Sequence, residues 1–130
     1  MLVVGHIDME KYSCVTTDIA TDEVILTEER IAHIRQRHPG DYERYMQYIP
    51  EIVANPDYII EDDRPYTAMC LKCFFDREAH TYIRLALRLV TPEDTAGFKN
   101  SIITFMKTNK KEYGRLLRNK KIPYRLYREE

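Results

Sequence analysis

Thr81-Tyr82-Ile83-Arg84-Leu85-Ala86-Leu87-Arg88-Leu89-Val90 is the stretch that decides the class of this protein. Leu85, Leu87 and Leu89 recur at every second position, with Arg84, Ala86 and Arg88 between them. A period of two sends the two sets to opposite faces of a β-strand, the leucines toward a core. Just upstream, Asp76-Arg77-Glu78 reads as a turn and Tyr66 to Phe75 as a second long strand. Asp62-Asp63-Arg64-Pro65 is another turn, entered from a strand that begins over Tyr58 to Ile60. Downstream, Thr91 to Gly97 is a polar loop, and Ser101 to Lys107 a fourth strand. The strand connections are short enough that hairpins, not crossovers, must join them.

Further upstream the period lengthens. Val24-Ile25-Leu26 is an apolar lead-in to a helix that Thr27 can cap, with Glu28 and Glu29 at the positive end of its dipole. That helix should run to about His38, where Pro39-Gly40 stops it. Asp41 to Ala54 reads as one second helix, apolar at Tyr45, Tyr48, Ile49, Ile52 and Val53, and ended by Asn55-Pro56-Asp57. Leu2 to Ile7 and Tyr12 to Thr16 suggest short strands, Asn109 to Arg118 a short basic helix, and Ile122 to Tyr127 a last extended segment. The predicted class is α+β: N-terminal helices packed on one face of a four-stranded antiparallel sheet, the other face open.

With 130 residues, 44% hydrophobic and 32% charged, the chain has the size and composition of one globular domain, 1–130. No apolar run nears the ~20 residues that span a bilayer. The first five residues lack the basic and long apolar regions of a signal peptide, so a cytoplasmic protein is expected. Of the three cysteines, Cys70 and Cys73 have metal or redox spacing, but they sit in an apolar strand without a second pair. Reduced thiols are expected, and no metal or cofactor is called for. There is no phosphate-binding glycine loop and no nucleotide, serine-hydrolase or zinc-protease motif. Net charge is -1, yet residues 1–63 carry 5 Lys/Arg against 14 Asp/Glu, and residues 64–130 carry 15 against 7. A basic half can offer phosphate a surface, or the two halves can simply attract each other.

Three constellations can carry chemistry. His33-Ile34-Arg35-Gln36-Arg37-His38 puts two imidazoles and two guanidinium groups into six residues. Imidazole exchanges a proton near neutral pH, and Arg presents a fixed fork to phosphate. Helical spacing sets Ile31, Ile34 and His38 on one face, and His33 with Arg37 on another. In Gly97-Phe98-Lys99-Asn100-Ser101-Ile102-Ile103-Thr104, Lys99 stands at a strand mouth where it could neutralise phosphate charge. Strand alternation puts Ser101 on its side and Thr104 on the opposite one. Arg84 and Arg88 share the polar face of their strand and could form an anion site. Each set also has a plainer reading, as a solvated helix face, an ordinary loop lysine, or the polar side of a half-buried strand. The same holds for Lys110, Lys111, Arg115, Arg118, Lys120 and Lys121, which could follow a nucleic-acid backbone.

Three blocks resemble one family: the helix start Ile25 to Arg30 running into His33-Ile34 and Arg37-His38-Pro39-Gly40-Asp41-Tyr42, then Ile52 to Ile60, then Lys99 to Phe105. Together they look like the phage-associated Barnase–EndoU–colicin–RelE-like nucleases, in a subgroup carrying a His-Ile-x-x-Arg-His helix. The resemblance runs from about Val24 to Ile122 and leaves 1–23 as an N-terminal extension.

The resemblance implies metal-independent cleavage of RNA, by attack of the ribose 2′-hydroxyl to give a 2′,3′-cyclic phosphate, in a phage, prophage or toxin setting. On that reading His33 or His38 is base or acid. Arg37, Arg88 and Lys99 hold phosphate, and Ser101 or Thr104 positions substrate. RNA is the implied partner, joined in a toxin setting by a cognate immunity or antitoxin protein. The competing expectations are a catalytically silent module that binds RNA or protein, and a structural protein of a mobile element.

Overall fold

The computed structural model describes residues 2–126. Seven strands form one sheet: β1 (Leu2–His6), β2 (Glu23–Leu26), β3 (Tyr58–Ile60), β4 (Thr67–Asp76), β5 (Ala79–Arg88), β6 (Asn100–Thr108) and β7 (Tyr124–Arg125). Their spatial order is β1-β2-β6-β5-β4-β3-β7. The four strands read from the sequence are its antiparallel centre, β6-β5-β4-β3, but the sheet is wider and mixed, because β2 lies parallel to β6. The expected four-stranded sheet is corrected accordingly. Val24, Ile25 and Leu26 are all buried, so they show no alternation, and β2 pairs with residues far along the chain at Asn100 and Ser101. Neither property leaves a local strand signal.

The helices are α1 (Met9–Tyr12), α2 (Glu28–Arg37), α3 (Asp41–Tyr45), α4 (Ile49–Ala54) and α5 (Lys110–Asn119). Thr27 caps α2 as expected, its Oγ1 accepting from the Arg30 N–H at 3.2 Å. The second helix is not continuous: α3 gives way to a short 3-10 turn over Met46–Tyr48 before α4 begins. Pro50 is the reason. It lacks the N–H that an uninterrupted helix needs there, and it suits the first turn of a new one. Nor is Tyr12 to Thr16 a strand. Asp8 caps α1 by accepting from Glu10 N–H, and the buried Tyr12 hydroxyl donates to the Val53 carbonyl at 2.8 Å, overriding local β-propensity.

The core alternates as the leucine pattern requires. Leu85, Leu87 and Leu89 join Ala68, Cys70, Ile83, Ile102 and Phe105 on the face covered by α1 to α4, through Tyr12, Ile34, Tyr42, Ile49, Ile52 and Val53. The opposite face is not open, as the sequence suggested. Tyr113 and Leu116 of α5 pack there on Ile60, Met69, Leu71 and Ala86. The three cysteines are free thiols, and burial pushes Cys70 up to about 12. The last extended segment is confirmed over β7, and Tyr127 lies outside the described residues. Among the described residues no helix is long and apolar enough to cross a membrane.

Candidate active site

β2 pairs with β6 only at Asn100 and Ser101, so the outer edge of β6 beyond that point is left to helices, and α2 and α3 pack along it. The backbone N–H of Lys107 is taken by the Asp41 carboxylate at 3.0 Å, which fixes the start of α3 against that edge. Gly40, at φ 85°, makes the left-handed turn between the two helices that a side chain would strain.

On α2, Ile34 is fully buried and Ile31 packs beside it, orienting the helix. His33 is half-buried and Arg37 exposed. The helix ends at Arg37. His38 closes it through an N–H bond to the Ile34 carbonyl at 2.8 Å, and leaves helical geometry at φ −134°, ψ 71°. His38 is therefore the C-cap of α2, while His33 and Arg37 lie within the helix. Arg35 is engaged elsewhere: it pairs with Glu43 and lies over the Tyr42 ring, tying α2 to α3.

The strand residues are placed by the pairing of β5 with β6. Arg88 and Ser101 sit directly opposite each other on β5 and β6. An extra residue in β6 then shifts the register, so Ile102 opposes Leu87 while Thr104 opposes Ala86. Opposed residues share a face. Thr104 thus joins Ser101 and Arg88 on the α5 face, and the simple alternation that separated Thr104 from Ser101 is corrected by this bulge. Two of the expected phosphate ligands are already paired: Lys99 Nζ lies 3.3 Å from Glu23 Oε1, and Arg88 lies 3.2 Å from Asp94 Oδ1. Arg88 also bonds the Leu89 carbonyl and covers the Tyr66 ring, so it anchors the loop after β5. Among the described residues no hydrogen bond or ion pair joins His33, Arg37 or His38 to Lys99, Arg88, Ser101 or Thr104.

Asn100 is a frame residue to which the sequence reading gave no role. It is fully buried, accepts from the Val90 N–H at 2.8 Å, and donates to the Thr21 and Glu23 carbonyls at 2.7 and 3.0 Å. One side chain thus ties the end of β5, the approach to β2 and the start of β6. Among the described residues no three His, Cys, Asp or Glu side chains gather as a metal site.

The helix beside the β6 edge, with two imidazoles and an Arg37 guanidinium that has no partner among the described residues, flanks a sheet that one known family matches from its first edge strand to its last. The chain belongs to the phage-Barnase-EndoU-ColicinE5/D-RelE like nuclease2 family. The match covers residues 4–125, nearly all of the chain. It starts within β1, so it includes most of the stretch read from sequence as an extension, consistent with the pairing of β1 to β2. No curated protein and no solved structure is significantly similar.

A second group of side chains escaped the sequence reading. Phe75, His80 and Tyr82 share the α5 face of the β4–β5 hairpin, where their rings meet in series and reach Tyr113 of α5. The signal was available: Phe75 pairs with His80 across the predicted turn, and Tyr82 lies two residues on.

Proposed function

We propose that this protein is a metal-independent endoribonuclease, associated with a phage, prophage or toxin system, acting in the cytoplasm. The ribose 2′-hydroxyl attacks the adjacent phosphorus, and a base takes its proton. The bond from phosphorus to the 5′-oxygen breaks, an acid protonates that oxygen, and the products end in a 2′,3′-cyclic phosphate and a free 5′-hydroxyl. His33 and His38 fill the base and acid roles, which imidazole side chains serve in proton transfer. Arg37 holds the phosphate and offsets the charge of the pentacovalent transition state. Lys99, Arg88, Ser101 and Thr104 bind substrate away from the reacting phosphate, the last three on the α5 face of the sheet, and the two cations do so after exchanging Glu23 and Asp94 for phosphate.

The observation that carries this reading is the short α2 segment. It presents two half-buried imidazoles, one of them at the helix end, and an arginine without a partner among the described residues, beside the strand edge and within a chain of nuclease-family membership. The ion pairs of Lys99 and Arg88 favour the alternative, a catalytically silent module binding RNA or protein, because they leave those cations neutralised. Incubating the purified protein with total RNA in EDTA separates the two. Cleavage leaving cyclic-phosphate ends, lost in His38→Ala or His33→Ala, is the expected result. RNA binding without any cleavage would support the silent module instead. In a toxin setting, an immunity or antitoxin protein would be expected to block the same activity.

A further inference from the structure

We infer that the α5 face of the β4–β5 hairpin is a binding platform for single-stranded nucleic acid, separate from the α2 site. Four aromatic rings run across it in contact. Phe75 and His80 are 4.8 Å apart between centroids, His80 and Tyr82 stack at 6.0 Å, and Tyr82 meets Tyr113 at 4.9 Å. Phe75 is 65% exposed at the open end of the series, whereas Tyr113 is only 6% exposed at the closed end. The exposed rings of Phe75 and His80 offer unpaired bases stacking surfaces, and every base has a face to stack.

Beside the rings is a hollow of about 600 Å³ lined by Tyr82, Tyr113, Gly114, Lys110, Lys111 and Arg118. Its three cations have no carboxylate partner among the described residues, unlike Lys99, Arg88, Arg35 and Arg115. Free cations flanking aromatic faces match the chemistry of a strand with a phosphate backbone and accessible bases. One detail points to an occupant. The Tyr113 hydroxyl is buried and has no hydrogen-bond partner among the described residues, although a buried donor ordinarily finds one. A duplex hides its base faces and would gain only the phosphate contacts.

This inference goes beyond the cleavage reading and is tested by binding alone. The probe is a fluorescent ten-nucleotide 2′-O-methyl RNA, which cannot be cut through its 2′-oxygen, compared by anisotropy with a blunt duplex of the same length. The wild type should bind the single strand at least about tenfold more tightly than the duplex, and more weakly as salt rises. Phe75→Ala and Tyr82→Leu should each weaken single-strand binding about tenfold, and Lys110→Glu/Lys111→Glu should lower both affinity and salt dependence. Circular dichroism should show each variant folded; Phe75→Ala removes an exposed ring and serves if Tyr82→Leu does not fold. Equal affinity for the duplex, unchanged binding in folded Phe75→Ala, or binding only to protein ligands from the same cells would overturn the platform. Absence of RNA cleavage would leave these expected values unchanged.

Discussion

Two regions of the molecule hold two kinds of resource. Along the β6 edge, α2 carries imidazoles suited to proton transfer, but the strand cations assigned to the same reaction, Lys99 and Arg88, are bound to Glu23 and Asp94. At the hairpin and α5, Lys110, Lys111 and Arg118 have no carboxylate partner among the described residues, four rings lie in series, and His80 shares a hydrogen bond with Cys73 at 3.4 Å. The difference teaches that a cation's position in a motif says little about its availability. What decides is whether the fold brings a carboxylate to it, and in both pairs on the β6 side the fold does.

The largest effect that can break this comparison is on the chemical step. His38→Ala and His33→Ala should each lower kcat by about 10²–10⁴-fold, the usual size of general acid–base catalysis. Lys99→Ala should cost about tenfold or less, because Glu23 already offsets that charge; a loss as large as the histidines' would move Lys99 into the centre of the reaction. Next is the frame that holds the β6 start. Asn100→Ala orphans the Val90 N–H and two carbonyls, and should destabilise the protein by about 2–4 kcal/mol in urea titration. A cost under about 1 kcal/mol would show that water replaces Asn100 and that the frame is looser than described.

A smaller effect tests the Asp94 clasp. Hydrogen bonding from the Thr91 backbone, followed by the charge of Arg88, holds Asp94 below the usual carboxylate range. A folded-state value below the unfolded one means the contribution is complete above the usual carboxylate range and is lost as pH falls through the folded value. Asp94→Asn should therefore lower stability at neutral pH and flatten the acid limb of its pH dependence; an unchanged acid limb would remove Asp94 from the account. The smallest effect concerns the hairpin beneath the rings. Arg77 and Glu78 both adopt positive φ, at 49° and 68°, where Asn-Gly is favoured. Replacing the pair with Asn-Gly should stabilise the fold by about 1 kcal/mol, and a loss of stability would contradict the described turn.

Much of the fold was legible because its strands are long and half-buried. Leu85, Leu87 and Leu89 announced β5, and Thr27 announced the start of α2. β2 was not legible, since three consecutive buried residues have no period and their partner lies at Asn100. The break at Pro50 was legible but was outweighed by the apolar spacing around it. The α2 candidates could be read from residue type alone. The pairing of Lys99 with Glu23 could not, because it depends on the non-local parallel contact of β2 and β6. The aromatic series depended on hairpin register, which fixes Phe75 against His80, and on α5 folding back over the sheet.

The central claim is that RNA is cut through its own 2′-hydroxyl by groups on α2. It is tested most directly by single-turnover cleavage, in EDTA, of one labelled RNA and of the same sequence with 2′-O-methyl groups throughout. The account predicts that the unmodified RNA is cut to products ending in a cyclic phosphate while the methylated strand stays whole. Equal cutting of both strands would contradict it.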